Sequence, residues 1–149
     1  MKNKDTINRI KNAAELAWAA YGYYDLIGKK FAHKKEYGNR TNTKITLHDI
    51  LDSTYVNYET HDSTFTNTLK LKGDMTPTQV KNFFEKYELL DYYPKFDTKN
   101  NRQKEGFHAC LFQDRESEQY IFAIRGSYDS RDYVEADAWN LLIKEQVPQ

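Results

Sequence analysis

The sequence has few of the features that would place it in a specialised class of protein. Its single cysteine, Cys110, excludes an internal disulfide and gives no sign of an oxidising compartment. No apolar run reaches the length of about 18 residues that a membrane span needs. The amino terminus is basic but lacks the apolar core and cleavage site of a signal peptide. We therefore predict a cytoplasmic protein without a membrane span, with leaderless export as the open alternative.

The chain also lacks net charge, because its 22 basic residues balance its 22 acidic ones. This balance gives no electrostatic reason to expect a nucleic acid or an acidic membrane as partner. Aromatic residues, in contrast, make up 15% of the chain and include 12 tyrosines. Tyrosine buries ring area and keeps a polar tip, so a packed core is compatible with the low mean hydropathy. Because the sequence shows no internal repeat and no linker, residues 1–149 are predicted to form a single domain.

Two segments have apolar residues at helical spacing. In residues 5–27 the spacing of three and four places one set on a single helix face: Ile7, Ile10, Ala14, Ala17, Tyr21 and Tyr24. The second helix is predicted to begin at the capping box Thr76-Pro77-Thr78-Gln79. Its apolar stripe runs through Val80, Phe83, Phe84, Tyr87 and Leu90 and ends before Pro94.

The middle of the chain gives weaker signals. Residues 29–44 are basic and polar and are typical of a solvated loop, with an anion-binding patch as the alternative. The stretch from Thr46 to Leu51 has the composition of a short helix. The stretches Tyr55–Tyr58 and Phe65–Leu71 alternate in the manner of strands.

Two apolar runs near the carboxyl end predict a β-hairpin. The runs FHACLF (107–112) and YIFAIR (120–125) are separated by the wholly polar segment QDRESEQ. The second run is apolar on both faces, as expected of an interior strand. The predicted fold class is therefore α+β, with helices packed on a small mixed sheet that contains the 107–125 hairpin.

Several groups of residues resemble catalytic or metal-binding sites but have simpler structural explanations. The four histidines, His33, His48, His61 and His108, lack the spacing of a zinc site. On the predicted strand, His108 and Cys110 share a face but are too widely spaced for easy contact. The acidic residues after the hairpin, Asp129, Asp132, Glu135 and Asp137, are typical of a helix amino terminus. We predict no metal and no cofactor, and a thiol or metal enzyme remains the alternative.

The tripeptide Arg125-Gly126-Ser127 ends the second strand of the hairpin abruptly. Gly126 permits a close turn because it has no Cβ. Ser127 then offers both a backbone N–H and a hydroxyl beyond the strand end. Fixed donors aimed at the oxygen of an ester under attack stabilise its developing negative charge by ~3–4 kcal/mol.

The residues from 76 onward resemble the amino-terminal portion of an α/β-hydrolase lipase, both the bacterial lipase-like proteins and the class 3 lipases. The stretch MTPTQVKNFFEKYELLDYY (75–93), followed by GFHACLF, is similar to their helix and Gly-Phe-Ser-Ala-Thr-Leu-Phe strand. The stretch EQYIFAIRGS (118–127) is similar to their next strand, Tyr-x-Leu-Ala-Ile-Arg-Gly-Thr. In SRDYVEAD (130–137), Tyr133 and Asp137 stand where the class 3 lid helix has an aromatic residue and an aspartate.

This resemblance implies three catalytic-site residues: Ser127 in the oxyanion hole, Gly126 in its turn, and Arg125 as the strand-end arginine that braces the turn. It also implies that residues 128–139 form a lid or lie next to one. However, the 149 residues contain no Gly-x-Ser-x-Gly nucleophile elbow, and the acid and histidine that follow it in hydrolases are missing too.

We therefore expect the amino-terminal segment of a lipase or esterase, a carboxylic ester hydrolase, without the serine nucleophile and inactive alone. It would meet a lipid or ester substrate only with the missing carboxyl-terminal part. The alternative is a non-enzymatic binding or assembly module. Such a module would form homo-oligomers through the exposed hairpin edge or the carboxyl-terminal helix.

Overall fold

Helices and one small antiparallel sheet make up the regular structure of residues 2–97, 99 and 108–125, which this computed structural model describes. The predicted α+β class is confirmed. The α-helices are α1 (Lys2–Ala19), α2 (Leu47–Leu51) and α3 (Pro77–Lys86). Short 3-10 helices cover Tyr24–Leu26, Lys35–Arg40 and Ser53–Tyr55, and the strands are β1 (Tyr87–Tyr93), β2 (His108–Asp114) and β3 (Tyr120–Arg125).

The described residues divide into two compact units. The sheet unit comprises residues 2–21, 83–94 and 108–125, and the loop unit comprises residues 22–82, 95–97 and 99. The assignment of residues 1–149 to a single domain remains a prediction.

The predicted hairpin is confirmed over the described residues 108–125. Strands β2 and β3 are antiparallel, and Cys110 pairs with Ala123 in their register. The turn is stabilised by the Asp114 carboxylate, which accepts hydrogen bonds from the N–H groups of Glu116 (2.9 Å) and Ser117 (3.1 Å). The sheet order is β1-β2-β3, so β3 lies at an edge of the described sheet and is not the predicted interior strand. The described sheet is also wholly antiparallel and not mixed.

Strand β1 corrects the predicted length of the second helix. The capping box is present: the Thr76 N–H donates to Gln79 Oε1 (2.9 Å), and the Gln79 N–H donates to Thr76 Oγ1 (3.2 Å). The helix ends at Lys86, however, and Tyr87–Tyr93 pairs with β2. The aromatic-rich sequence YELLDYY suits a strand. The pairing of residues 87–93 with strand β2 of the hairpin therefore outweighs the preference for a helix that the spacing of Tyr87 and Leu90 indicates.

An aromatic core fills the sheet unit. The ring of Phe83 lies 5.0 Å from that of Tyr87 and 5.5 Å from that of Phe112, measured between centroids. Phe112 is fully buried in β2. Arg115, in the hairpin turn, donates from Nε to the carbonyl of Phe84 (3.0 Å). The α3 end and the hairpin are thus fixed together by packing and by a hydrogen bond to the backbone.

A helix is confirmed in this part of the chain, but α1 ends at Ala19 instead of extending to residue 27, and Tyr24 belongs to a separate 3-10 helix. The helix also does not bury the face that the apolar spacing predicts. Its buried residues include Ala13, Leu16 and Ala19. Ile7 and Ile10, on the predicted apolar face, are 63% and 49% exposed. The buried side of α1 therefore combines Leu16 with small alanines, while Ile7, Ile10 and Trp18 face outward.

The loop unit has little regular structure. The predicted strands at Tyr55–Tyr58 and Phe65–Leu71 are wrong: Tyr55 ends a 3-10 helix, and the second stretch contributes only an isolated bridge from Lys70 to Glu59. The predicted short helix after Thr46 is confirmed as α2, whose start is closed by a capping box between Thr46 and Asp49.

Candidate functional site at the end of strand β3

Arg125 is the last residue of β3 and the only predicted site residue that the structure describes. Its Nη1 donates a hydrogen bond to the backbone carbonyl of Tyr21 at 3.4 Å. Its guanidinium carbon lies 4.9 Å from the centroid of the Tyr21 ring. Because Tyr21 lies two residues after the end of α1, these two contacts join Arg125 of β3 to the segment that follows that helix.

The other residues predicted for this site lie outside the described residues. These include Gly126, Ser127, the acidic cluster at Asp129, Asp132, Glu135 and Asp137, and the segment 128–139 that the resemblance identifies as a lid or lid-adjacent segment. The described structure contains the strand that precedes the predicted turn, with Arg125 as its last residue.

Cys110 and His108 share a sheet face with Arg125, because residues opposite each other in an antiparallel pair project to the same side. His108 pairs with Arg125, and Cys110 pairs with Ala123. Burial raises the pKa of the Cys110 thiol to about 12, and the positive charge of Arg125 opposes this only in part. The thiol is therefore protonated at neutral pH, whereas a nucleophilic cysteine requires a low pKa. These observations favour the interpretation that Cys110 is a buried core residue and not a nucleophile.

The histidines are dispersed over the described structure. His108 belongs to the sheet unit, and His33, His48 and His61 belong to the loop unit. Within residues 2–97, 99 and 108–125, no three His, Cys, Asp or Glu side chains are placed to hold a metal ion together. His61 Nε2 lies 3.0 Å from its neighbour Asp62, whose carboxylate also pairs with Lys29.

The loop unit contains a charged cluster that the sequence analysis missed. Arg40, assigned there to a solvated loop, forms an ion pair with Asp49. Its guanidinium carbon lies 5.0 Å from the ring centroid of Phe31 and 5.1 Å from that of Tyr55. Asp49 is only 6% exposed and also accepts a hydrogen bond from the Thr46 N–H at 2.9 Å. We name these residues the Arg40 cluster: Arg40, Asp49, Phe31, Tyr55 and Thr46.

Other basic residues of the 29–44 segment are also paired with carboxylates. Lys34 pairs with Glu59, and their hydrogen bond raises the pKa of the Lys34 ammonium. Lys29 pairs with Asp62 and lies 3.7 Å from the centroid of the Phe96 ring. Lys29, Lys34 and Arg40 are engaged in this way, whereas Lys30, Lys35 and Lys44 are exposed, so the anion-binding interpretation of this segment stays a prediction. The sequence signal for such anchoring was the interleaving of aromatic residues with the basic ones.

No helix among the described residues combines the length and the apolar character that crossing a membrane would need. Comparison of the sequence with models of protein families, with curated proteins and with solved structures finds no match.

Proposed function

We propose that this chain is the amino-terminal segment of a lipase or esterase, with a truncated α/β-hydrolase-like fold that carries the oxyanion-hole turn without the serine nucleophile. The observation that carries the proposal is the end of β3. Arg125 is the last described residue of β3, its guanidinium is anchored on the Tyr21 carbonyl, and Gly126 and Ser127 follow directly in sequence.

The order of the elements supports the same assignment. In α/β-hydrolases, one oxyanion-hole N–H comes from the loop that follows the third strand. In the described chain, β3 is the third strand, and the next residues are Gly126 and Ser127. An arginine held by a carbonyl and an aromatic ring fixes the strand end, and donors act on a developing oxyanion only when they are fixed in advance. In this proposal Arg125 is a positioning residue, and Ser127 supplies the donors.

Two measurements on the 149-residue chain test the proposal. Hydrolysis of short-chain p-nitrophenyl esters is expected at the rate of the buffer, because oxyanion donors act only on a carbonyl already under attack. A short alkyl phosphonate, which mimics the tetrahedral oxyanion, is expected to shift the amide resonances of Gly126 and Ser127 in an NMR titration. The variant Ser127→Ala removes the hydroxyl and keeps the N–H, so it is expected to weaken the shifts.

The matched control is Ser117→Ala, which removes a hydroxyl from the exposed hairpin turn and is expected to leave the phosphonate titration unchanged. Ester turnover that a serine-directed phosphonate abolishes would show that the chain carries its own nucleophile. Phosphonate shifts that spare residues 126 and 127 would refute the oxyanion turn.

A second candidate function is assembly, and the edge position of β3 favours it. Among the described residues, no strand pairs with the outer edge of β3. On one face of that strand, Tyr120 and Phe122 are 59% and 38% exposed. An apolar strand edge is a template for pairing with another chain.

If β3 mediates assembly, light scattering is expected to show dimers or larger species when the protein is at about 50 μM, well above a dissociation constant of about 1 μM. Phe122→Lys places a charge on the edge strand and is expected to shift the population to monomer. Phe65→Lys makes the same change at an exposed position of the loop unit and is the matched control. A wild-type protein that is wholly monomeric at this concentration would rule out the assembly function.

A further inference from the structure

Helix α1 has an exposed apolar face in addition to its buried one. Ile7, Ile10, Ala14 and Trp18 follow one another at intervals of three or four residues, so they align along one side of the helix. Ile7 is 63%, Ile10 49% and Trp18 50% exposed. From Ile7 to Trp18 the face extends about 16 Å along the helix axis. We name this set the outer face of α1.

The first part of α1 is exposed on every side. Each residue of the range 3–11 is exposed, and burial on the sheet unit begins only at Ala13. The outer face is therefore accessible from above and from both flanks over its first two turns. A partner can approach this part of the helix without displacing any described part of the sheet unit.

Positive charge borders the outer face. Lys4 lies three residues before Ile7 and Lys11 four residues after it, so both adjoin Ile7 on the helix surface. Both lysines are exposed, and neither forms an ion pair within the described residues. Glu15, the acidic residue nearest to the outer face, is half buried. The chain is neutral as a whole, but this surface is locally basic.

We propose that the outer face of α1 docks on a lipid surface that carries anionic headgroups. An interfacial helix buries apolar side chains at the boundary of the acyl chains while lysines reach the headgroups, and tryptophan favours that boundary. Isoleucines, a tryptophan and two unpaired lysines on one helix side meet each of these requirements. Docking of this kind leaves the helix lying on the membrane and requires no span.

A second copy of the chain fits the outer face less well. A stable protein interface buries ~800 Å² on each partner, far more than three partly exposed large side chains can supply. Two copies would also bring Lys4 and Lys11 close to their own counterparts, and like charges repel. An anionic lipid surface needs no protein interface of that size, and its negative charge attracts the two lysines. The inference does not depend on hydrolase chemistry.

Co-sedimentation of the full chain with vesicles tests the proposal. We expect binding to phosphatidylcholine vesicles that contain about 30% phosphatidylserine, and little binding to phosphatidylcholine alone. High salt should release the protein, because it screens the lysines. The double variant Ile7→Ser/Ile10→Ser is expected to lower the partition coefficient by about tenfold or more, because it removes the inserting side chains. Lys4→Gln/Lys11→Gln is expected to lower it about threefold or more on the mixed vesicles alone.

Two control variants make the same chemical changes elsewhere. Phe65→Ser removes an exposed apolar side chain, and Lys72→Gln/Lys81→Gln removes two exposed charges. Both are expected to bind like the wild type. All substituted positions are exposed, so circular dichroism should show the fold unchanged in every variant.

Wild-type binding that is absent, that is equal on the two kinds of vesicle, or that survives Ile7→Ser/Ile10→Ser would overturn the proposal. Self-association that this double variant abolishes, without vesicle binding by the wild type, would also overturn it. That result would assign the outer face to a second copy. None of these outcomes bears on ester hydrolysis or on the phosphonate titration.

Discussion

Replacing Asp49 by alanine is expected to lower the free energy of unfolding by about 3 kcal/mol. The substitution leaves the Arg40 guanidinium without its carboxylate, in a place bordered by the rings of Phe31 and Tyr55. It also removes the acceptor that the Thr46 N–H uses at the start of α2. Losing such a cap costs about 1 kcal/mol by itself. Urea denaturation followed by circular dichroism measures the change.

Asp74→Ala is the matched control, because Asp74 is an exposed carboxylate of the same loop unit. Its effect on the free energy of unfolding is expected to stay within about 0.5 kcal/mol. Asp49→Asn keeps an oxygen acceptor for Thr46 but loses the charge. Its effect on the free energy of unfolding should therefore fall between those of Asp49→Ala and Asp74→Ala. Equal losses for Asp49→Ala and Asp74→Ala would contradict the assignment of a buried ion pair.

A double-mutant cycle separates the ion pair from the cap. Arg40→Met removes the charge that Asp49→Ala would leave without a partner. The double variant is therefore expected to lose less stability than the sum of the two single variants, by about 1 kcal/mol or more. Additive losses would mean that Arg40 and Asp49 act independently.

The hairpin and the start of α3 could be predicted from the sequence because their determinants are local. A polar turn separates two apolar runs in the hairpin, and Thr76 and Gln79 satisfy each other's backbone groups within one helical turn. Each signal is complete within a few residues, so distant packing has little scope to change the outcome.

Strand β1 and the outer face of α1 could not be predicted, because distant contacts decide them. Residues 87–93 have helical spacing, but pairing with β2 across the sheet satisfies their backbone groups instead. In α1, spacing alone does not show which of two apolar faces becomes buried, and the buried one contains Ala13, Leu16 and Ala19.

The candidate site was predictable only in part. The strand that ends at Arg125 follows from its apolar pattern, but the contact of Arg125 with Tyr21 joins residues 104 positions apart. The Arg40 cluster is similar, because Phe31, Arg40, Asp49 and Tyr55 come together through a loop with almost no periodic pattern. Composition marked that segment as basic and polar, and only the fold shows that Lys29, Lys34 and Arg40 pair with carboxylates.

Alkaline pH is expected to destabilise the sheet unit through Cys110. The pKa of the thiol is about 12 in the folded protein, because burial disfavours the thiolate, and about 8.5 in an unfolded chain. Above the unfolded value, the unfolded state binds fewer protons than the folded state. The free energy of unfolding therefore falls as pH rises, by about 1.4 kcal/mol per pH unit until the folded pKa is reached. This loss amounts to about 2–3 kcal/mol between about pH 8.5 and 10.5.

Urea denaturation of the wild type and of Cys110→Ala across this range measures the effect. Cys110→Ala removes the titrating group, so its free energy of unfolding is expected to decline less steeply with pH, even where its value at pH 8 is lower.

Tyr87 adds a second loss of stability that starts above its ordinary pKa of about 10, because burial raises its pKa in the folded state as well. Tyr87→Phe should therefore match the wild-type slope below about pH 10 and flatten it only above. Parallel declines for the wild type and Cys110→Ala between about pH 9 and 10 would show that the thiol ionises as readily in the folded chain as in the unfolded one.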